Sequence, residues 1–88
     1  MYIIINYLDE KHYREARSDL EDPEMGLQNL GLSVYFTDCI NQIEIFDHND
    51  EVSCIDFDGK FYHIQFINGN ELMDYSDRAE IEIKTKFN

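Results

Sequence analysis

Positive charge is scarce in this sequence. Only 7 Lys and Arg stand against 19 Asp and Glu, a formal net charge of −12 over 88 residues. That balance argues against direct nucleic-acid binding, because a phosphate backbone attracts bases and repels carboxylates. It argues against an anionic membrane surface for the same reason. Cysteine is scarce as well: Cys39 and Cys54 are too few for a disulfide scaffold and lack metal-type spacing. No apolar run approaches the roughly 20 residues that span a bilayer. Residues 1–8 are apolar but have neither a basic flank nor a small-residue cleavage site, so they do not read as a signal peptide. The expected setting is the cytoplasm.

What is present suffices for one domain over residues 1–88. Apolar residues make up 43% of the chain, near the globular norm. A chain of this size hides about 60–65% of its unfolded surface on folding. There is no internal repeat, low-complexity tract or Gly/Ser linker. The charge is segregated. Residues 18–59 contain no Lys or Arg, yet carry Asp19, Glu21, Asp22, Glu24, Asp38, Glu44, Asp47, Asp50, Glu51, Asp56 and Asp58. The bases lie outside, at Lys11, Arg14, Arg17, Lys60, Arg78, Lys84 and Lys86.

Periodicity gives the elements. Residues 2–8 form a β-branched and aromatic run that predicts a central strand buried on both faces. Asp9 is a helix N-cap, followed at helical spacing by Tyr13, Ala16 and Leu20, with Lys11, Arg14 and Glu15 outward. Asp22-Pro23-Glu24 reads as a second cap with Pro at the first helical position. The short helix it opens carries Met25, Leu27 and Leu30 and stops at Gly31. Alternation then takes over. Leu32, Val34 and Phe36 share one strand face, and Ile43 and Ile45 oppose Glu44. Residues 51–57 and 60–67 flank Asp58-Gly59, a hairpin signal because such turns need positive φ. Residues 68–70 read as a turn and residues 71–76 as a helical turn. Ala79, Ile81, Ile83, Thr85 and Phe87 alternate with Glu80, Glu82, Lys84 and Lys86 as a half-buried strand. The expected class is α+β: a mostly antiparallel sheet of about five strands, with one or two helices from the N-terminal half packed on one face.

The chemistry-bearing residues are more simply structural. His12, on an exposed helix face, His48, in a loop, and His63, in a strand, lack the spacing of a zinc site. Asp47-His48-Asn49-Asp50-Glu51 begins like a calcium loop, but Val52 stands where the turn glycine belongs and Asp58 where the bidentate glutamate belongs. Cys39 and Cys54 sit beside isoleucines and read as buried packing, in acidic surroundings that oppose a thiolate. Asp56 and Asp58 could pair as acid and base, but strand and turn roles account for both. No Gly-rich phosphate loop or nucleophile elbow occurs. No enzyme activity, cofactor or metal is expected.

The acidic region remains. Its plain reading is solvation; its segregation points further. Acids two apart on a strand, as at Asp56 and Asp58 or Glu80 and Glu82, repeat every ~6.6–6.8 Å, and such rows resemble a phosphate backbone to a basic groove. In length and charge the chain is similar to small acidic phage-encoded inhibitors, the anti-CRISPR and anti-restriction proteins, many of which mimic nucleic acid. That similarity implies a host-cytoplasmic inhibitor of a larger protein with a basic, nucleic-acid-binding surface. The expected contact residues are Asp19, Glu21, Asp22, Glu24, Asp47, Asp50, Glu51, Asp56 and Asp58, with Tyr35, Tyr62 and Tyr75 as aromatic anchors. An immunity protein or antitoxin over a basic nuclease shares the same electrostatics. A structural or assembly subunit, acidic only for solubility, is the reading from another class.

Overall fold

A computed structural model describes residues 1–84. In chain order the elements are β1 (Tyr2–Tyr7), α1 (Glu10–Glu21), two 3-10 turns (Pro23–Met25 and Leu27–Leu30), β2 (Leu32–Thr37), a third 3-10 turn (Asp38–Ile40), β3 (Gln42–Asp47), β4 (Val52–Phe57), β5 (Phe61–Phe66), β6 (Glu71–Tyr75) and β7 (Ala79–Lys84). The strands form two antiparallel sheets rather than one. The first has the order β2-β3-β1-β7 and the second β4-β5-β6. The class is α+β as expected, with two sheets of four and three strands in place of a single one of about five.

β1 is interior, hydrogen-bonded to β3 on one side and β7 on the other. It is not buried on both faces. Ile3, Ile5 and Tyr7 are buried, while Tyr2, Ile4 and Asn6 are half-buried. The apolar run arises because the outer face is furnished by cross-strand neighbours: Tyr2 stacks on Phe46 with ring centroids 4.3 Å apart and donates to Glu44 at 2.7 Å. The inner face meets Tyr13, Ala16 and Leu20 of α1 and Val52, Ile64, Phe66 and Leu72 of the second sheet in one core.

Local signals hold α1. The Asp9 carboxylate accepts the backbone N–H of His12 at 2.8 Å and contacts the His12 ring as well. His12 is therefore half-buried against its cap and Tyr75, not on a bare helix face. Past Asp22, which accepts the Glu24 N–H at 3.0 Å, the expected short helix breaks in two at Gly26, a left-handed residue, and ends at Gly31, another. The Asp58-Gly59 hairpin joins β4 to β5 as expected, with Phe57 opposite Tyr62. Residues 71–75, read as a helical turn, are instead β6, paired with β5 from Gln65 opposite Glu71 to Phe61 opposite Tyr75. In β7 burial fades from Ala79 to Ile83; Thr85, Lys86 and Phe87 lie outside the described residues. Among the described residues no helix is long and apolar enough to cross a membrane.

Candidate interaction surface

Folding scatters the acidic stretch, and three of the places it reaches bear on binding. The first is one end of the molecule, built around the turn at residues 67–70. The Asn70 amide donates to the Glu24 and Met25 carbonyls and the Asn68 amide to the Met25 carbonyl. On the other side the Ile67 N–H donates to the Glu51 carbonyl at 2.8 Å. The turn thus brings Glu24 and Glu51, distant in sequence, to one surface, with Asp22 and Asp50 next to them in the chain. Ile67, 65% exposed, stands in this acidic frame. Among the described residues no ion pair reaches Asp22, Glu24, Asp50 or Glu51.

The second place is the outer face of the second sheet. Register puts Cys54, Gln65 and Glu71 in one row and Asp56, His63 and Met73 in the next, with Phe61 and Tyr75 beyond. His63 is held at both ring nitrogens, by Glu71 on Nδ1 and Asp58 on Nε2, each at 3.0 Å. These carboxylates, Glu71 first, raise its pKa. Asp58 also accepts the backbone N–H groups of Phe61 and Lys60. The bond from Phe61, then the one with His63 and then that from Lys60 hold its pKa down at about 2. Asp58 is therefore a turn residue folded back on its own hairpin, and the expected row of Asp56 and Asp58 does not form. The Cys54 thiol donates to Asp56 at 3.1 Å, which raises its pKa. Lys60 sits over the Phe61 and Tyr75 rings. Glu80 and Glu82 do form a row, on the outer face of β7, where Lys84 lies 3.6 Å from Glu82.

The third place is the interior. Asp47 is 2% exposed, and its carboxylate accepts backbone N–H groups from Asn49, Glu51 and Val52. It organises the β3–β4 loop and presents no charge outward, so it leaves the expected contact set. Tyr62 is half-buried. It points to the inner face of its sheet, opposite Asp74 and stacked on Phe57. Tyr35 and Tyr75 are exposed, on separate sheets. Asp19 is exposed on α1.

The segregation of bases is partly undone by folding. Arg17 reaches Glu21 and Asp38 and covers the Phe36 ring, and Arg14 pairs with Glu10. Asp38 also accepts from Tyr13, which pins the β2–β3 connection to α1. Cys39, expected to be buried, is exposed on that connection, and Cys54 is half-buried.

Glu71 and Asp74 were not singled out by the sequence, and His63 was read only as a strand histidine, although Asn68-Gly69 carries the same hairpin signal as Asp58-Gly59. Taking it would have made residues 71–75 a strand and placed Leu72 and Asp74 on one face. Among the described residues no group of three His, Cys, Asp or Glu side chains is placed to hold a metal ion. Comparison with protein-family models, with curated proteins and with solved structures finds no match to this chain.

Proposed function

We propose that this chain is a non-enzymatic binding protein that occupies the basic, nucleic-acid-binding surface of a larger protein. The observation that carries this reading is the acidic end of the molecule, where Glu24, Asp50 and Glu51 flank the turn at residues 67–70 without an ion pair among the described residues. Carboxylates left unneutralised by their own chain are those that a partner's Lys and Arg can meet in place of phosphates. A field from a net charge of −12 steers such a partner and speeds encounter. Ile67 supplies an apolar centre within a charged rim, the common anatomy of a small interface. Tyr75 lies at the far end of β6 from this turn, so the anchoring falls to Ile67 rather than to the tyrosines. The mechanism is competition: the protein and nucleic acid contend for one set of bases.

The test is capture on immobilised protein from a cell lysate, with short duplex DNA or RNA as competitor. Retained proteins should be nucleic-acid binders, displaced by the competitor and by salt, since the Debye length is about 8 Å at physiological ionic strength. Glu24→Lys with Glu51→Lys should abolish retention. Glu80→Lys with Glu82→Lys should preserve it, because Lys84 already dilutes that row. Retention that survives the first pair and high salt would refute the reading and leave the acidity a matter of solubility.

A further inference from the structure

β2 is an edge strand with an unusual exposure. Edge strands offer a row of unpaired backbone groups, and proteins usually blunt them with charges, bulges or proline. The other edges here follow that practice. β7 alternates Glu80, Glu82 and Lys84; β6 carries Glu71 and Asp74; β4 carries Asp56 and a register shift between Val52 and Cys54. β2, with the sequence Leu-Ser-Val-Tyr-Phe-Thr, has no charged residue, no proline and an unbroken register with β3. Among the described residues no backbone hydrogen bond outside the helices joins residues 32–36 to anything but β3.

A groove of about 700 Å³ runs along this edge. All of residues 32–36 line it. Alternate side chains of a strand point to opposite faces, so five consecutive residues can share one groove only if it follows the strand's edge. The facing wall is the end of α1 and the 3-10 segment, including Leu20, Leu27, Glu21 and Asp22. The groove therefore has apolar contacts at Leu20 and Leu27, an acidic lip and a strand edge. Its lining holds no base; Arg17, beside it over Phe36, is engaged by Glu21 and Asp38.

We propose that this groove receives an extended basic segment of the protein partner, which adds to β2 as a fifth strand of the first sheet. Main-chain hydrogen bonds to β2 supply affinity. Alternate side chains, apolar toward Leu27 and Lys or Arg toward Asp22, which no base of the described residues pairs, supply selection. A second copy of this chain is the wrong occupant on charge, because two chains of −12 repel and an acidic lip would meet an acidic body. The proposal rests on the reading that the partner is basic, and adds which part of it is gripped and how.

The probe is a ten-residue fluorescent peptide of alternating Lys and Val, titrated with the full chain and followed by anisotropy. Hydrogen exchange of the β2 amides is read by NMR in the same samples. Binding should protect alternate amides within residues 32–37 and shift the Leu27 and Val34 methyl signals. A Glu/Val peptide should not bind, and a Lys/Pro peptide of equal charge should bind far more weakly, because its prolines hold φ near about −65°, off strand geometry, and remove every second N–H donor. Asp22→Asn should weaken the Lys/Val peptide roughly threefold, the scale of one rim charge. Equal binding of the Lys/Pro peptide, or signals that shift around Ile67 and Glu51 while β2 exchange stays unchanged, would overturn the proposal. So would self-association that the peptide disperses, which would assign the edge to a second copy. Lysate capture that still depends on Glu24 and Glu51 while the peptide leaves β2 untouched would remove the groove and keep the acidic end. Capture that no longer depends on Glu24 and Glu51 would remove the acidic end itself.

Discussion

The phenol of Tyr7 on β1 and the carboxyl of Asp74 on β6 face each other between the two sheets, both buried. The Tyr7 hydroxyl and one Asp74 oxygen have no hydrogen-bond partner among the described residues. Burial raises the Asp74 pKa most; the Tyr7 hydroxyl opposes it next, ahead of the charge of Asp19, which adds to the rise, and of His12, which lowers it. A carboxyl whose folded pKa lies above its unfolded value binds its proton more tightly when folded, so stability falls as pH rises from about 4 through the folded pKa. Asp74→Asn, which mimics the protonated form, should be more stable than the natural protein at pH 7 and converge with it at acid pH. Urea denaturation across pH 3–8 checks this; no pH dependence in the difference between the two proteins would contradict it.

Asp47 predicts a loss of the opposite kind. Its two oxygens take three backbone N–H groups, with Val52 on one oxygen and Asn49 and Glu51 on the other. Hydrogen bonds to a charged acceptor contribute about 1.5–3 kcal/mol each, and orphaned donors add a penalty. Asp47→Ala should destabilise the fold by at least about 2 kcal/mol, measured by urea denaturation. Asp47→Asn should not restore it, because an amide nitrogen would face an N–H donor. Exposed Asp19, changed to Asn, is the matched control and should move stability by under about 0.5 kcal/mol.

His63 titrates between Glu71 and Asp58, and both raise its pKa. What these contacts contribute to stability is fully present below about pH 6.5 and is lost as pH rises through the folded pKa. In an NMR titration of the ring proton, Glu71→Gln should lower the His63 midpoint more than Asp58→Asn, since Glu71 is the larger cause. An unmoved midpoint in both variants would dissolve the bridge. Asp58 has the reverse sign: its low pKa gives stability present above about pH 4 that is lost as pH falls toward 2.

The β4–β5 turn rests on Gly59, whose φ of +101° is closed to residues with a side chain. An added Cβ would meet nothing within 4 Å, so the cost of Gly59→Ala is conformational alone. It should be roughly 1–3 kcal/mol, read as a shift of the denaturation midpoint with an unchanged slope. A neutral result would mean the hairpin adopts another turn at no expense.

Much of the fold lay in the local pattern. Asp9, Gly31, the Asp58-Gly59 turn and the alternation around Ile43 and Ile45 each act through the nearest few residues, so composition and spacing sufficed to place α1, its limits and most strands. The net charge and the absence of bases from residues 18–59 were equally legible. Which carboxylates face a partner was not. Asp47 and Asp58 read as free surface charges by type, yet one is enclosed by its own loop and the other, though exposed, is bonded to the backbone and His63 of its own hairpin. The split into two sheets, the burial of Asp74 and the meeting of Glu24 with Glu51 around residues 67–70 depend on contacts between segments distant in sequence. A residue's type and spacing report its local period; whether its charge is spent inside the chain or left for a partner depends on which remote backbone donors reach it, and packing alone decides that.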